Sequence, residues 1–76
     1  MLEKRIKLYS LKDKSDFLKV TSAIACDIDL RYGGQLFDAK SIMSVMNIDS
    51  YGAETVILRI HSKDTEILNK FKRWFV

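Results

Sequence analysis

Residue types that carry crosslinks or metal chemistry are scarce in this chain. Its 76 residues include one cysteine, one histidine, three glycines and no proline. The lone thiol of Cys26 excludes an internal disulfide, and a single histidine among scattered carboxylates gives no recognisable metal-ligand spacing. No signal-type leader, nucleotide-binding loop or apolar run of about 18 residues is present. We therefore expect a soluble protein of the reducing cytoplasm that has no cofactor.

The composition is that of one small globular domain with a modest positive charge. Hydrophobic residues make up 47% of the chain and charged residues 30%. A chain this short rarely supports two cores, so we expect a single domain over residues 1–76. The net charge of +3 favours acidic partners or phosphate groups. A remote alternative is a basic nucleic-acid-binding domain that stacks bases on Tyr9, Tyr32 and Tyr51. Because the aromatic residues mostly fit core positions, we predict no nucleic-acid partner.

The first half of the chain alternates between strand and helix patterns. Arg5 to Tyr9 alternates charged and apolar residues, as a half-buried strand does. A helix is predicted next, with an apolar stripe toward the core. Ser15 is the N-cap candidate, and a cap earlier in the chain is the alternative. That stripe comprises Phe17, Leu18, Thr21, Ile24 and Ala25. Ile28 to Tyr32 and Gln35 to Ala39 then flank Gly33-Gly34, which predicts a tight β-hairpin.

The second half predicts a short helix, a central strand and a long closing helix. Ser41 to Met46 has the helical pattern, and Glu54 to Ile60 is rich in residues that favour strands. The tail predicts a second full helix, capped by Ser62 or Asp64. Its apolar face comprises Ile67, Leu68, Phe71, Trp74 and Phe75. The order β-α-β-β-α-β-α predicts an α+β open-faced sandwich, with helices on one face of a four-stranded antiparallel sheet.

Two neighbouring segments carry a family resemblance. Asp27 to Gly34 reads Asp-Ile-Asp-Leu-Arg-Tyr-Gly-Gly, and Lys40 to Met46 reads Lys-Ser-Ile-Met-Ser-Val-Met. They resemble the HPr family, the phosphocarrier proteins of the bacterial sugar phosphotransferase system. The second segment resembles that family's phosphoserine loop and short helix. The resemblance implies an HPr-like fold and a bacterial, cytoplasmic protein with a role related to sugar transport.

The resemblance also implies an active-site histidine that this chain lacks. In the family that histidine begins the first helix and carries the phosphoryl group. Ungapped matching places Ser10 there, with Lys12 where the family has a phosphate-contacting arginine. A phosphoserine is a stable ester that cannot pass its group on as a phosphohistidine does, so we predict no catalytic residue and no enzymatic activity. Lys12 is an anion-binding candidate, although its alternative is an ordinary solvated lysine. His61 is expected at the opposite end of the sheet from Ser10, as a structural residue.

The segment from Lys40 to Met46 is the other candidate site. The resemblance implies that Ser41 is a regulatory phosphorylation site for HPr kinase. A plain N-cap role for the same hydroxyl is the alternative. The resemblance also assigns partner docking to Ile42, Met43 and Met46. We expect Met43 to be the main docking residue and Met46 to lie closer to the core.

Together these features predict a non-catalytic regulatory or protein-binding module. Its expected partners are proteins of the phosphotransferase system or a regulatory protein, because histidine-less relatives in the family act in catabolite repression. The alternative is an unconventional phosphocarrier in phosphoenolpyruvate-dependent sugar transport, which would need an acid-labile phosphoryl group. We expect a monomer or a weak dimer, since small sheets can exchange edge strands.

Overall fold

The fold is a four-stranded antiparallel sheet with helices packed on one face. It is seen in a computed structural model that describes residues 1–49 and 55–76. The elements are β1 (Leu2–Ile6), α1 (Leu11–Ser22), β2 (Ile28–Tyr32), β3 (Gln35–Asp38), α2 (Ile42–Met46), β4 (Val56–Ile60), α3 (Glu66–Asn69) and a 3₁₀ turn (Lys72–Trp74). The strands lie in the order β1-β4-β2-β3. The predicted α+β open-faced sandwich is confirmed.

The strand register fixes which end of the sheet each site lies at. Leu2 pairs with Ile60 at one end of the β1·β4 ladder, and Ile6 pairs with Val56 at the other. Alternate residues of β4 are buried, which is the pattern of a strand with one face against the core. The start of α1 therefore follows the Ile6 end, and residue 61 follows the Leu2 end.

The hairpin between β2 and β3 turns at Gly33-Gly34, as predicted. Both glycines have positive φ, 59° and 75°. Two consecutive residues of this kind form the two-residue turn whose twist matches the flanking strands. Tyr32 pairs with Gln35 directly across the turn.

The first helix begins before the Ser15 candidate, at the earlier cap that the sequence left open. Ser10, not Ser15, is the N-cap: its Oγ accepts the Asp13 backbone N–H at 3.0 Å. The Asp13 carboxylate in turn accepts the Tyr9 N–H at 2.9 Å. The prediction followed the apolar stripe, which starts only at Phe17, and so missed a polar first turn held by reciprocal capping. β1 also lies earlier than predicted, at Leu2–Ile6 instead of Arg5 to Tyr9.

The predicted second full helix is wrong. The tail forms only the four residues of α3 and the 3₁₀ turn. Thr65, at the start of α3, makes no side-chain cap, and the chain then turns back to the sheet. Phe75 forms a bridge with Ile6, and the Val76 N–H donates to the Arg5 carbonyl at 3.2 Å. The last residues therefore cover the edge of β1, which a continuous helix would leave unpaired.

Three aromatic rings form the centre of the core between α1 and the tail. Phe17 lies 5.4 Å from Trp74 and 5.6 Å from Phe71, measured between ring centroids. Phe17 and Phe71 are fully buried and Trp74 is 3% exposed. Phe71 and Trp74, expected on the apolar face of the tail, therefore do lie in the core. Ala25, expected on the core-facing stripe, is exposed.

Candidate functional site

The start of α1 presents a serine hydroxyl among charged side chains. Ser10 is exposed, and it occupies the position that the resemblance gives to the phosphoryl-accepting histidine. Its Oγ already caps the helix by accepting the Asp13 N–H. The Asp13 carboxylate folds back over the same turn to accept the Tyr9 N–H. A negative charge thus lies at the helix start, where a phosphate group would otherwise meet the helix dipole.

Lys12 is engaged with a carboxylate of its own helix. Its ammonium lies 2.9 Å from Asp16 Oδ2, and the Lys12 side chain is 83% exposed. The Arg73 guanidinium approaches the same oxygen at 3.5 Å. The hydrogen bond from Lys12 is the main cause that lowers the pKa of Asp16, with further contributions from the charges of Lys12, Arg73 and Lys19. Anion binding by Lys12 stays a prediction, and it would require the ammonium to leave Asp16.

The short helix α2 presents two apolar side chains to solvent. Ile42 is 67% exposed and Met43 is 77% exposed. Met46, one turn later, is half-buried and packs against the core, as expected from the sequence. Val45 points inward and is fully buried. We call Ile42 and Met43 the α2 patch.

A shallow groove runs beside the α2 patch, between α1 and α2. It encloses about 410 Å³ and is open to solvent. Its walls are Ser15, Leu18, Lys19, Ser22, Lys40, Ile42 and Met46. The lining of the groove therefore combines three apolar side chains with two lysines and two serines. All three residues predicted to dock partners lie on α2, two of them in this groove.

Ser41 is the N-cap of α2. Its Oγ accepts the Ser44 N–H at 3.4 Å, close to the upper limit for a hydrogen bond. The hydroxyl group belongs to a half-buried residue, and no acidic side chain lies in the first turn of α2. The capping role considered for Ser41 is thus observed, while its phosphorylation stays a prediction.

Side chains from outside α2 hold both ends of this helix against α1. Before its start, the Thr21 hydroxyl donates to the Ala39 carbonyl at 2.9 Å. The Lys40 ammonium donates to the Ile24 carbonyl at 2.6 Å. At its end, the Lys14 ammonium donates to the carbonyls of Met46, at 3.2 Å, and of Ile48. We refer to these three side chains as the α2 anchors.

Lys14 corrects the sequence interpretation. A lysine in the polar segment before the apolar stripe is expected to be solvated, yet only 6% of Lys14 is exposed. A signal was present, because Lys14 precedes Phe17, Leu18 and Thr21 at the spacing of one helical face. A cation at the carboxyl end of a helix also interacts favourably with the carbonyls and the helix dipole there.

His61 lies at the end of the sheet opposite Ser10, as the topology predicted. Its Nε2 is 2.6 Å from Asp29 Oδ2, and the Arg59 Nε is 3.4 Å from the other oxygen of that carboxylate.

Within residues 1–49 and 55–76, no group of histidine, cysteine and carboxylate side chains could hold a metal ion. No helix in the same part of the chain has the length and apolar character to cross a membrane.

Two of the three tyrosines considered for base stacking, Tyr9 and Tyr32, lie in the described residues. Tyr9 is exposed, and the Lys7 ammonium lies 5.7 Å from its ring centroid. Tyr32 is half-buried and packs against the core. Tyr51 lies outside the described residues. Of the three rings, only that of Tyr9 is therefore seen to be exposed.

Comparison with known proteins identifies the fold. No family model and no curated protein matches the sequence. Among solved structures, the chain is similar to the crystal structure of HPr-C-His from Thermoanaerobacter tengcongensis. The TM-score is 0.78 at 20% sequence identity, over 96% of this chain and 89% of that chain. The fold is HPr-like.

Proposed function

We propose that this HPr-like domain is a non-catalytic protein-binding module that docks a protein partner through the α2 patch. The observation that carries the proposal is the exposure of Ile42 and Met43, at 67% and 77%, on a helix that buries Val45 in the core. Full burial of such a side chain contributes about 1.5–3 kcal/mol. Two adjacent side chains of this kind would form the centre of a small interface.

The chemistry at the start of α1 supports a binding role over phosphoryl transfer. A phosphoryl group on Ser10 would be an ester of an alcohol, which is a much poorer leaving group than an imidazole nitrogen. It would also lie in the same helical turn as the Asp13 carboxylate. Repulsion between the Asp13 carboxylate and a phosphate on Ser10 would disfavour the doubly charged form of that phosphate. We therefore assign Ser10 a capping role.

We further propose that phosphorylation of Ser41 regulates the docking surface. Its hydroxyl makes a long cap hydrogen bond that a phosphate oxygen would replace with a charge-assisted one. The phosphate would add roughly two negative charges directly before Ile42. A partner that buries apolar surface there would have to desolvate this group, so phosphorylation should weaken docking of such a partner.

Two parallel phosphorylation reactions test the regulatory proposal against phosphocarrier activity. The pure protein is incubated with HPr kinase and ATP, and separately with enzyme I and phosphoenolpyruvate. Intact-mass and fragment analysis then locates any phosphate. We expect an acid-stable phosphate on Ser41 in the first reaction, absent in Ser41→Ala and present in Ser44→Ala, and no phosphate in the second. An acid-labile phosphate in the second reaction would instead support an unconventional phosphocarrier.

Docking is tested separately by NMR with ¹⁵N-labelled protein. Enzyme I of the phosphotransferase system is the first probe, because the HPr proteins that this chain resembles are partners of enzyme I. We expect amide shifts confined to α2 and the facing turns of α1, with Met43→Ala reducing them. Amide shifts confined to another surface would contradict docking of these proteins through the α2 patch. The absence of shifts, both with excess enzyme I and with excess HPr kinase, would contradict it as well.

A further inference from the structure

The face of the sheet opposite the helices carries two rows of side chains that cross all four strands. In the first row, Arg5 pairs with Ile57, Ile57 with Arg31, and Arg31 with Leu36. We call this the arginine row. The second row runs Glu3, Arg59, Asp29 and Asp38 by the same register, and we call it the mixed row.

The two rows differ in how their charges are used. In the mixed row, the Asp29 carboxylate is approached by Arg59 at 3.4 Å and, from outside the row, by His61 at 2.6 Å. In the arginine row, neither Arg5 nor Arg31 makes an ion pair or a side-chain hydrogen bond within residues 1–49 and 55–76. Both arginines are exposed. The arginine row thus presents two guanidinium groups whose donors are open to a ligand.

Apolar surface lies between and beside these guanidinium groups. Ile57 is half-buried between them, and Leu36 is 57% exposed next to Arg31. A depression of about 370 Å³ opens over this region, bounded by Glu3, Lys4, Arg5, Arg31, Ile57 and Val76. Three of its six boundary residues are cationic and one is anionic. The surface therefore combines positive charge with a central apolar contact.

The spacing of the row suits an extended peptide. Arg5 and Arg31 are two strands apart, which places their Cα atoms about 10 Å from each other. In an extended chain, side chains at positions i and i+4 point to the same side and lie about 13 Å apart, with position i+2 between them. Two flexible arginine side chains can reach carboxylates at that separation, and each guanidinium can bind a carboxylate with two parallel hydrogen bonds.

We propose that the arginine row is a second binding surface, for an extended acidic polypeptide segment. The segment carries carboxylates at positions i and i+4, over Arg5 and Arg31, and an apolar residue at i+2 over Ile57. A protein segment fits better than a single-stranded nucleic acid, because neither row contains an aromatic ring on which bases could stack. The surface lies on the face opposite the helices, and it is independent of docking through the α2 patch.

The proposal is tested with two capped peptides of identical composition. The first, Gly-Glu-Ser-Leu-Ser-Glu-Gly, has the proposed spacing, and the second, Gly-Ser-Glu-Leu-Glu-Ser-Gly, places the glutamates two residues apart with leucine on the other face. Each is titrated at low ionic strength into the ¹⁵N-labelled full chain. We expect the first peptide to bind more tightly, to shift amides of β1, β4 and β2, and to lose affinity as salt is added.

Matched charge variants decide whether the arginine row itself binds. The double substitution R5Q/R31Q should weaken binding of the first peptide about fivefold, as expected for two exposed ion pairs. The control K63Q/K72Q removes the same charge at exposed lysines outside the two rows and should change affinity less than about twofold. E3Q removes the nearby carboxylate and should strengthen binding.

Several results would overturn the proposal. Equal weakening by R5Q/R31Q and K63Q/K72Q would show attraction by net charge only. Shifts centred on α2, tighter binding of an oligothymidylate than of the peptide, or no shifts at millimolar peptide would each reject an acidic-peptide surface on the sheet. The variants alter exposed side chains only, and their amide spectra report directly whether they fold.

Discussion

Replacing Lys14 by methionine tests how α2 is held in place. Methionine keeps most of the unbranched stem but removes the ammonium, which donates to the carbonyls of Met46 and Ile48. Hydrogen bonds from a charged donor contribute about 1.5–3 kcal/mol each. The loss of two such bonds is partly offset, because a buried ammonium is no longer desolvated. We expect a net destabilisation of about 2–3 kcal/mol.

That loss is large for a domain of this size. At about 0.05–0.15 kcal/mol per residue, a chain of 76 residues has a free energy of unfolding of about 4–11 kcal/mol. Each kcal/mol lowers the melting temperature of such a domain by about 4–8 °C, so Lys14→Met should melt roughly 10–20 °C lower. Lys19→Met, at an exposed position of the same helix, should change stability by less than about 0.5 kcal/mol.

Urea titration followed by circular dichroism measures the change, and amide hydrogen exchange locates it. The amides of Val45 and Asn47, which donate to the carbonyls of Ser41 and Met43, should exchange faster in Lys14→Met than in Lys19→Met. If Lys14→Met unfolds at the same urea concentration as the unsubstituted protein, the ammonium makes no net contribution to the free energy of unfolding. Unchanged exchange at Val45 and Asn47 would show that Lys14 does not hold the end of α2.

Three further predictions follow from the described contacts. Met43→Ala should change the free energy of unfolding by less than about 0.5 kcal/mol, because the side chain is 77% exposed. The same substitution should lower the affinity for a docked partner. A large loss of stability with unchanged binding would contradict this. Ser10→Ala should cost about 1 kcal/mol in urea titration through loss of the α1 cap, and a stability equal to that of the unsubstituted protein would show that the cap contributes nothing. Lys12→Met should raise the pKa of Asp16 in a carboxyl ¹³C NMR titration. Since the Asp16 pKa is lowered in the folded state, its stabilising effect is present above the unfolded pKa and is lost as the pH falls below about 4; an unaltered Asp16 titration in Lys12→Met would reject this pairing.

The sheet could be predicted from the sequence because its signals are local. Ile28 to Tyr32 alternates in a half-buried pattern, and Gly33-Gly34 supplies the two positive φ angles of the turn. The pairing of β1 with β4 followed from the family resemblance and placed His61 at the correct end. The exposure of Met43 and the packing of Met46 also agree with their positions on a short helix.

The features that sequence reasoning missed depend on contacts between distant segments. The apolar spacing of the tail was compatible with one long helix, but Phe75 bridges to Ile6 and the helix stops after Asn69. Lys14 shares the apolar face of α1, yet its burial depends on carbonyls 32 and 34 residues away. The partners of these groups are set by tertiary packing, which a local pattern does not encode.

The α2 anchors donate to backbone carbonyls, and every amino acid has one. The orientation of α2 therefore depends little on the identity of the residues that the helix turns toward solvent. None of these hydrogen bonds involves the side chain of Ile42 or Met43. If the α2 patch docks a partner as proposed, the scaffold separates the positioning of that surface from its specificity, and substitutions at two adjacent residues would change the partner without moving the helix.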